Sequence, residues 1–120
     1  MSNVGSFGKG IVKIGVTRRL TPTDRVDELS SASVPFKFSI NALVFSDNAF
    51  ELESRLHKHF DSYRVNKFNN RKEYFKVSLT NIKEYLNNDK SLNVEWNEQP
   101  ENFEYAQTLL IEEQQSKRLL

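Results

Sequence analysis

The segment Ile11-Val12-Lys13-Ile14-Gly15-Val16 decides the fold class. It is apolar and β-branched enough for a buried strand, and Gly15 near its end marks a bulge or a close backbone approach. A helix follows it. Thr21 is a capping residue, Pro22 suits the first turn, Asp24 suits the positive end of the dipole, and Val26 with Leu29 makes one apolar face, which predicts a helix over 22–31. Phe36-Lys37-Phe38-Ser39-Ile40-Asn41-Ala42 then alternates apolar with polar and runs into Leu43-Val44-Phe45, so a second strand is expected over 36–45.

Working outward, residues 2–10 hold three of the four glycines with no apolar period and read as a loop. Downstream, Ser46 or Asp47 caps a helix whose stripe is Ala49, Leu52, Leu56 and Phe60. A polar, basic connection over 61–72 leads to the short alternating segment Glu73-Tyr74-Phe75-Lys76-Val77, a strand or extended edge. Ser78 or Thr80 caps a third helix carrying Leu79, Ile82, Tyr85 and Leu86, which stops at Asn87-Asn88-Asp89. Residues 92–96 form a short strand, and from Pro100 the pattern Phe103, Ala106, Leu110 predicts a last amphipathic helix ending in the basic turn Lys117-Arg118. Strands alternating with helices imply an α/β (α+β) fold, a small antiparallel sheet flanked by helices.

A chain of 120 residues and 14.0 kDa supports one domain with one core. The absence of Cys excludes disulfides, thiolate zinc, iron–sulfur clusters and a cysteine nucleophile. No apolar run approaches the roughly 20 residues of a membrane helix and no secretory signal opens the chain, so a cytoplasmic protein without membrane contact is expected. The net charge of +1 hides a division: residues 1–94 carry 15 Lys and Arg against 10 Asp and Glu, whereas 95–120 carry 2 against 6. A basic body suits a phosphate-binding surface, and solubilising charge is the plain alternative.

Several side chains are placed for phosphate chemistry. Glu53 and His57 stand four apart on one helix face, where a carboxylate and an imidazole can share a cation or phosphate or simply bond each other at the surface. His57 and His59 are two apart and point in different directions, which argues against zinc, while a lone Glu53 suits Mg²⁺. Arg25 sits at the unfavourable end of its helix dipole, as a phosphate ligand would, or pairs with Asp24 or Glu28. The stretch from Arg64 to Lys76 has five basic residues and one acid among amides and aromatics. It is read either as a backbone clamp using Arg64, Lys67, Arg71 and Lys72, or as exposed charge around a core of Phe68 and Phe75. Arg18-Arg19, with Lys9 and Lys13 upstream, makes a second basic segment. No Walker loop, dinucleotide glycine fingerprint, serine elbow or HExxH is present.

Five of these segments, in order, carry a resemblance: residues 11–19; Asp24-Arg25-Val26-Asp27-Glu28-Leu29; Ser33-Val34-Pro35-Phe36; Leu52-Glu53 with Leu56-His57 and Phe60; and Arg71-Lys72-Glu73-Tyr74-Phe75. Together they resemble the GIY-YIG nuclease superfamily, in its phage and bacterial DNA-binding branch related to the meiotically up-regulated gene family. The resemblance covers about residues 2–77. It places Lys13-Ile14-Gly15 at the YIG motif, Arg25 at the arginine that meets the scissile phosphate, and Glu53 at the carboxylate that holds the divalent metal, Mg²⁺ if the domain is active. His57 and the segment from Arg71 match branch features of undefined role.

Lys13 replaces the second motif tyrosine, and the strand bearing the first tyrosine is expected to be missing, so the implied domain over 1–90 is N-terminally truncated. Its replacement would be residues 92–96 or another protomer, and the open strand edge predicts a homodimer. Residues 91–120 read as an acidic extension packed on the same domain. The implied function is DNA binding with metal-dependent phosphodiester cleavage weak or lost. The alternative is a protein-interaction module in which the terminal helix and Trp96, Phe103 and Tyr105 dock on a partner; the acidic tail is also placed to compete with DNA in cis.

Overall fold

A computed structural model describes residues 1–31, 33–97 and 102–119. The element order is α1 (Val4–Phe7), β1 (Ile11–Lys13), α2 (Pro22–Ser31), β2 (Ala42–Phe45), α3 (Ala49–His59), a 3-10 turn (Asp61–Tyr63), β3 (Tyr74–Lys76), α4 (Leu79–Asn87), β4 (Asn93–Trp96) and α5 (Phe103–Leu119). The architecture is α+β, as expected. Instead of one sheet there are two antiparallel pairs, β1 with β3 and β2 with β4. In the first, Lys13 lies opposite Tyr74; in the second, Val44 lies opposite Val94. A two-stranded ribbon is marginal alone, so packing against the helices has to stabilise both.

That packing is supplied by one cluster. Leu52, Leu56 and Phe60 recur every fourth residue on α3 and its cap, Ile82 and Leu86 do so on α4, and Val12, Phe75 and Val77 come from the first sheet and its exit. Phe75 is 0% exposed and lies at the centre of this core. Asn48, rather than Ser46 or Asp47, caps α3: its Oδ1 accepts from the Glu51 N–H at 3.1 Å while its amide donates to the Glu51 carboxylate. Ser78 caps α4 as expected, accepting from the Asn81 N–H.

Three expectations are corrected. Residues 2–10 are not all loop, since Asn3 caps the single turn α1. Gly5 in that turn is required by packing, because a Cβ there would lie 2.5 Å from the Phe36 ring and 2.9 Å from Tyr105. The second strand is only Ala42–Phe45. Ahead of it, side chains capture the donors that a ladder would use: Ser6 Oγ takes the Phe36 N–H, Glu104 the Lys37 N–H and Ser30 Oγ the Phe38 N–H. Residues 92–96 do become a strand, but it joins β2 and not β1. The other edge of β1 is met by Met1 and Ser2, through Lys13 N–H to the Met1 carbonyl at 2.8 Å and a bridge from Ser2 to Val12. The edge expected to pair with another protomer is therefore covered at that point.

Arg64 was expected on the phosphate-binding surface; it is only 8% exposed. Its Nε donates to Asp61 at 2.9 Å, another guanidinium nitrogen donates to the Asn70 carbonyl, and the group lies 4.9 Å from the centre of the Phe75 ring. Arg64→Ala is expected to cost about 1–2 kcal/mol in lost packing and hydrogen bonding. Chemical denaturation measures this.

Candidate metal and nucleic-acid site

The register of β1 against β3 builds the site. With Lys13 opposite Tyr74, the Ile14 N–H donates to the Glu73 carbonyl at 3.1 Å, so Glu73 is brought beside the end of β1. Helix α3 crosses the same place, and His57 Nε2 lies 2.8 Å from the Ile14 carbonyl. A carbonyl only accepts, so the imidazole donates from Nε2. This bond replaces the Glu53–His57 pair that the i,i+4 spacing allows. Glu53, one turn earlier on α3, completes a cluster in which one ligand atom each from Glu53, His57 and Glu73 lies within 4.8 Å of the others.

Glu53 is electrostatically uncomfortable there. Its Oε2 is buried without a hydrogen-bond partner. Burial first, and repulsion from Glu73 second, raise its pKa above the ordinary 4.5, against the pull of His57, Lys13 and the Val16 N–H. Lys13 is the local cation: its Nζ lies 3.1 Å from Glu73 Oε2 and 5.1 Å from the centre of the Tyr74 ring. Burial and the Glu73 carboxylate in turn raise the Tyr74 pKa, so that phenol stays protonated at neutral pH. An orphaned carboxylate oxygen beside a second carboxylate and an imidazole fits a divalent metal.

Beside the cluster lies a cavity of about 630 Å³ that Glu53, Glu73 and Lys13 reach. Lys13, Arg19, Arg25, Glu53 and Glu73 all line it, so the two helices contribute Arg25 and Glu53 to one cavity. The apolar face of α2, Val26 and Leu29, borders it as well. Arg25 pairs with Glu28 at 3.2 Å, and Arg19 bonds the other oxygen of the same carboxylate. That exposed pairing lowers the Glu28 pKa, led by the Arg19 hydrogen bond. An incoming phosphate has one carboxylate to displace from two guanidiniums.

The remaining basic residues are spread. Arg18 stacks on Phe50, 4.4 Å from its ring centre, and Lys67 donates to the Ser62 carbonyl. Arg71 and Lys72 are exposed and immediately precede Glu73. Between them and Arg64 the chain is shaped by amide turns: Asn66 Oδ1 accepts from the Phe68 and Asn69 N–H groups, and Asn69 Oδ1 from that of Arg71. Phe68 at the tip is 99% exposed and is not core, unlike Phe75. Glu73 is the residue that reading the sequence passed over. Its only signal was its place beside a short strand rich in aromatics.

The acidic extension is anchored at its start. Tyr105 meets the Phe36 ring edge-on at 5.4 Å and Trp96 packs against the core, so two of the three aromatics assigned to a partner are used internally. Pro100 lies outside the described residues, as does the Arg118 side chain. Among the described residues no helix is long and apolar enough to cross a membrane.

No curated protein and no solved structure matches the chain. The T5orf172 domain matches residues 1–89, which takes in β1 through α4 and the cluster of Glu53, His57 and Glu73. On that match, the chain belongs to the T5orf172 domain family.

Proposed function

We propose that this chain is a phage-related, DNA-binding domain of nuclease type, akin to the GIY-YIG superfamily, with the 630 Å³ cavity as its phosphate site. The observation that carries the reading is the shared cavity: a carboxylate with an unpartnered oxygen, Glu53, and a guanidinium, Arg25, donated to its lining by successive helices. Glu53 would hold a divalent metal such as Mg²⁺. A metal there would polarise a phosphoryl oxygen and lower the pKa of a bound water. Arg25 and Arg19 would neutralise the phosphate, while Arg18, Lys67, Arg71 and Lys72 would hold flanking phosphates. Lys13, ion-paired with Glu73, is arranged as a counter-ion and not as a base, so cleavage is weak or lost. T5orf172 family membership and the basic side chains of Lys13, Arg19 and Arg25 in the cavity lining support the reading.

Fluorescence anisotropy on short duplex DNA across a salt series tests it. Log affinity should fall linearly with log salt, and Arg71→Ala and Lys72→Ala should each reduce the slope by about 1. Arg64→Ala, its guanidinium being internal, should leave the slope unchanged. Retention without salt dependence, or none at low salt, would refute the proposal.

A second reading has one observation in its favour. On α5, Phe103, Leu109, Leu110 and Ile111 are exposed, which suits docking on a protein partner. The salt series separates the two, because a pure docking module binds no nucleic acid at any salt concentration.

A further inference from the structure

We propose that Glu53, His57 and Glu73 form one three-ligand site for a first-row divalent transition ion, and that Lys13 is the counter-ion which that metal displaces. The inference rests on the reading above only for the metal's task. The site itself stands on geometry. Two ligands are one turn apart on α3, the third is fixed by the backbone bond from Ile14 to Glu73, and their ligand atoms lie within 4.8 Å of one another. Each has a reason to accept a metal. Glu53 Oε2 is buried with no donor. His57 is held by its Nε2–H on the Ile14 carbonyl, the outer-shell kind of contact that orients a ligating imidazole, so Nδ1 is the nitrogen it would offer a metal. Its ring also rests against Phe75, with centres 5.2 Å apart, which limits reorientation.

The cluster already holds a cation. Lys13 Nζ sits 3.1 Å from Glu73 Oε2 with its side chain only 13% exposed, so one ammonium pairs with Glu73 and leaves Glu53 without a bonded cation. A divalent ion supplies twice that charge at coordination distance and frees Lys13 towards the cavity it lines. The donor set decides the ion class. Mg²⁺ keeps its waters and takes one or two carboxylates, whereas an imidazole between two carboxylates suits transition ions. Mn²⁺ stands lowest in that series, so any preference for it over Mg²⁺ is a lower bound for the class.

The experiment uses the full chain without DNA. Titration calorimetry with Mn²⁺ and with Mg²⁺ should show one site, with Mn²⁺ bound at least about tenfold more tightly. Pulsed EPR of the Mn²⁺ form should show a directly bound nitrogen whose signal changes when the chain's histidines carry ¹⁵N, a readout that requires no variant. His57→Gln should remove that signal and weaken Mn²⁺ about 10- to 100-fold while moving Mg²⁺ by less than about threefold. Glu73→Gln should weaken Mn²⁺ comparably, and Lys13→Met should tighten it. Absence of Mn²⁺ binding, Mn²⁺ bound without nitrogen, or an unchanged affinity in folded His57→Gln overturns the inference. Binding of Mn²⁺ through nitrogen without any affinity for DNA would leave it standing and refute the nuclease-type reading instead.

Discussion

Glu53→Gln is expected to lower divalent-metal affinity by about 100-fold or more, to abolish any Mg²⁺-dependent nicking of plasmid DNA, and at the same time to stabilise the metal-free fold by roughly 1 kcal/mol. The opposite signs come from one cause. A carboxylate oxygen buried without a donor, next to a second carboxylate, destabilises the protein until a cation arrives. A neutral amide offers the same shape without the charge. The effect depends on pH, and its sign follows from the raised pKa. Above 4.5 the unfolded chain has lost the Glu53 proton while the folded one retains it, so the folded state binds more protons and stability falls as pH rises through the folded pKa. Glu28 and Asp89, whose pKa values are lowered, act in the reverse sense. Subtracting the Glu53→Gln curve from that of the parent isolates Glu53. Thermal melts at several pH values give both curves; a Gln variant that binds metal normally, or melts earlier than its parent at neutral pH, refutes this account.

Phe75→Ala should cost about 3–5 kcal/mol, which is a large part of the stability of a domain of this size. The ring is wholly buried at the meeting point of the first sheet, α3 and α4. It also contacts the guanidinium of Arg64 and the imidazole of His57. Removing it therefore leaves a cavity and loosens both the basic loop and a candidate metal ligand. Phe75→Leu, which keeps most of the volume, should cost under about 1.5 kcal/mol. Urea denaturation distinguishes them, and a loss below about 1 kcal/mol for the alanine variant would contradict the central position of this ring.

The helices were legible because their signals are local. The stripe Leu52, Leu56, Phe60 and the cap Ser78 need only three or four neighbouring residues to state them, and the helix expected over 22–31 is α2. The strand expected over 36–45 forms only at 42–45, because alternation does not report who accepts from the backbone. Ser6, Ser30 and Glu104 reach residues 36–38 from three distant places. The candidate site divides in the same way. Glu53 and His57 are neighbours by helix geometry, whereas Glu73 joins them through the long-range pairing of β1 with β3 and the backbone bond from Ile14. Arg64 misleads for a related reason. A basic residue in a polar loop reads as surface until the ring beneath it is known.

The way Arg64 and the two asparagines hold residues 64–72 bears on how the domain would meet a polyanion. A disordered basic tract loses conformational freedom when it settles on phosphates, and that loss subtracts from affinity. Here the backbone has already been immobilised as the chain folded, with Phe68 held outward and Arg71 and Lys72 at the end of the turn. Contact with a ligand would then restrict side chains and little else, so the association is preorganised and its entropic penalty is carried by folding.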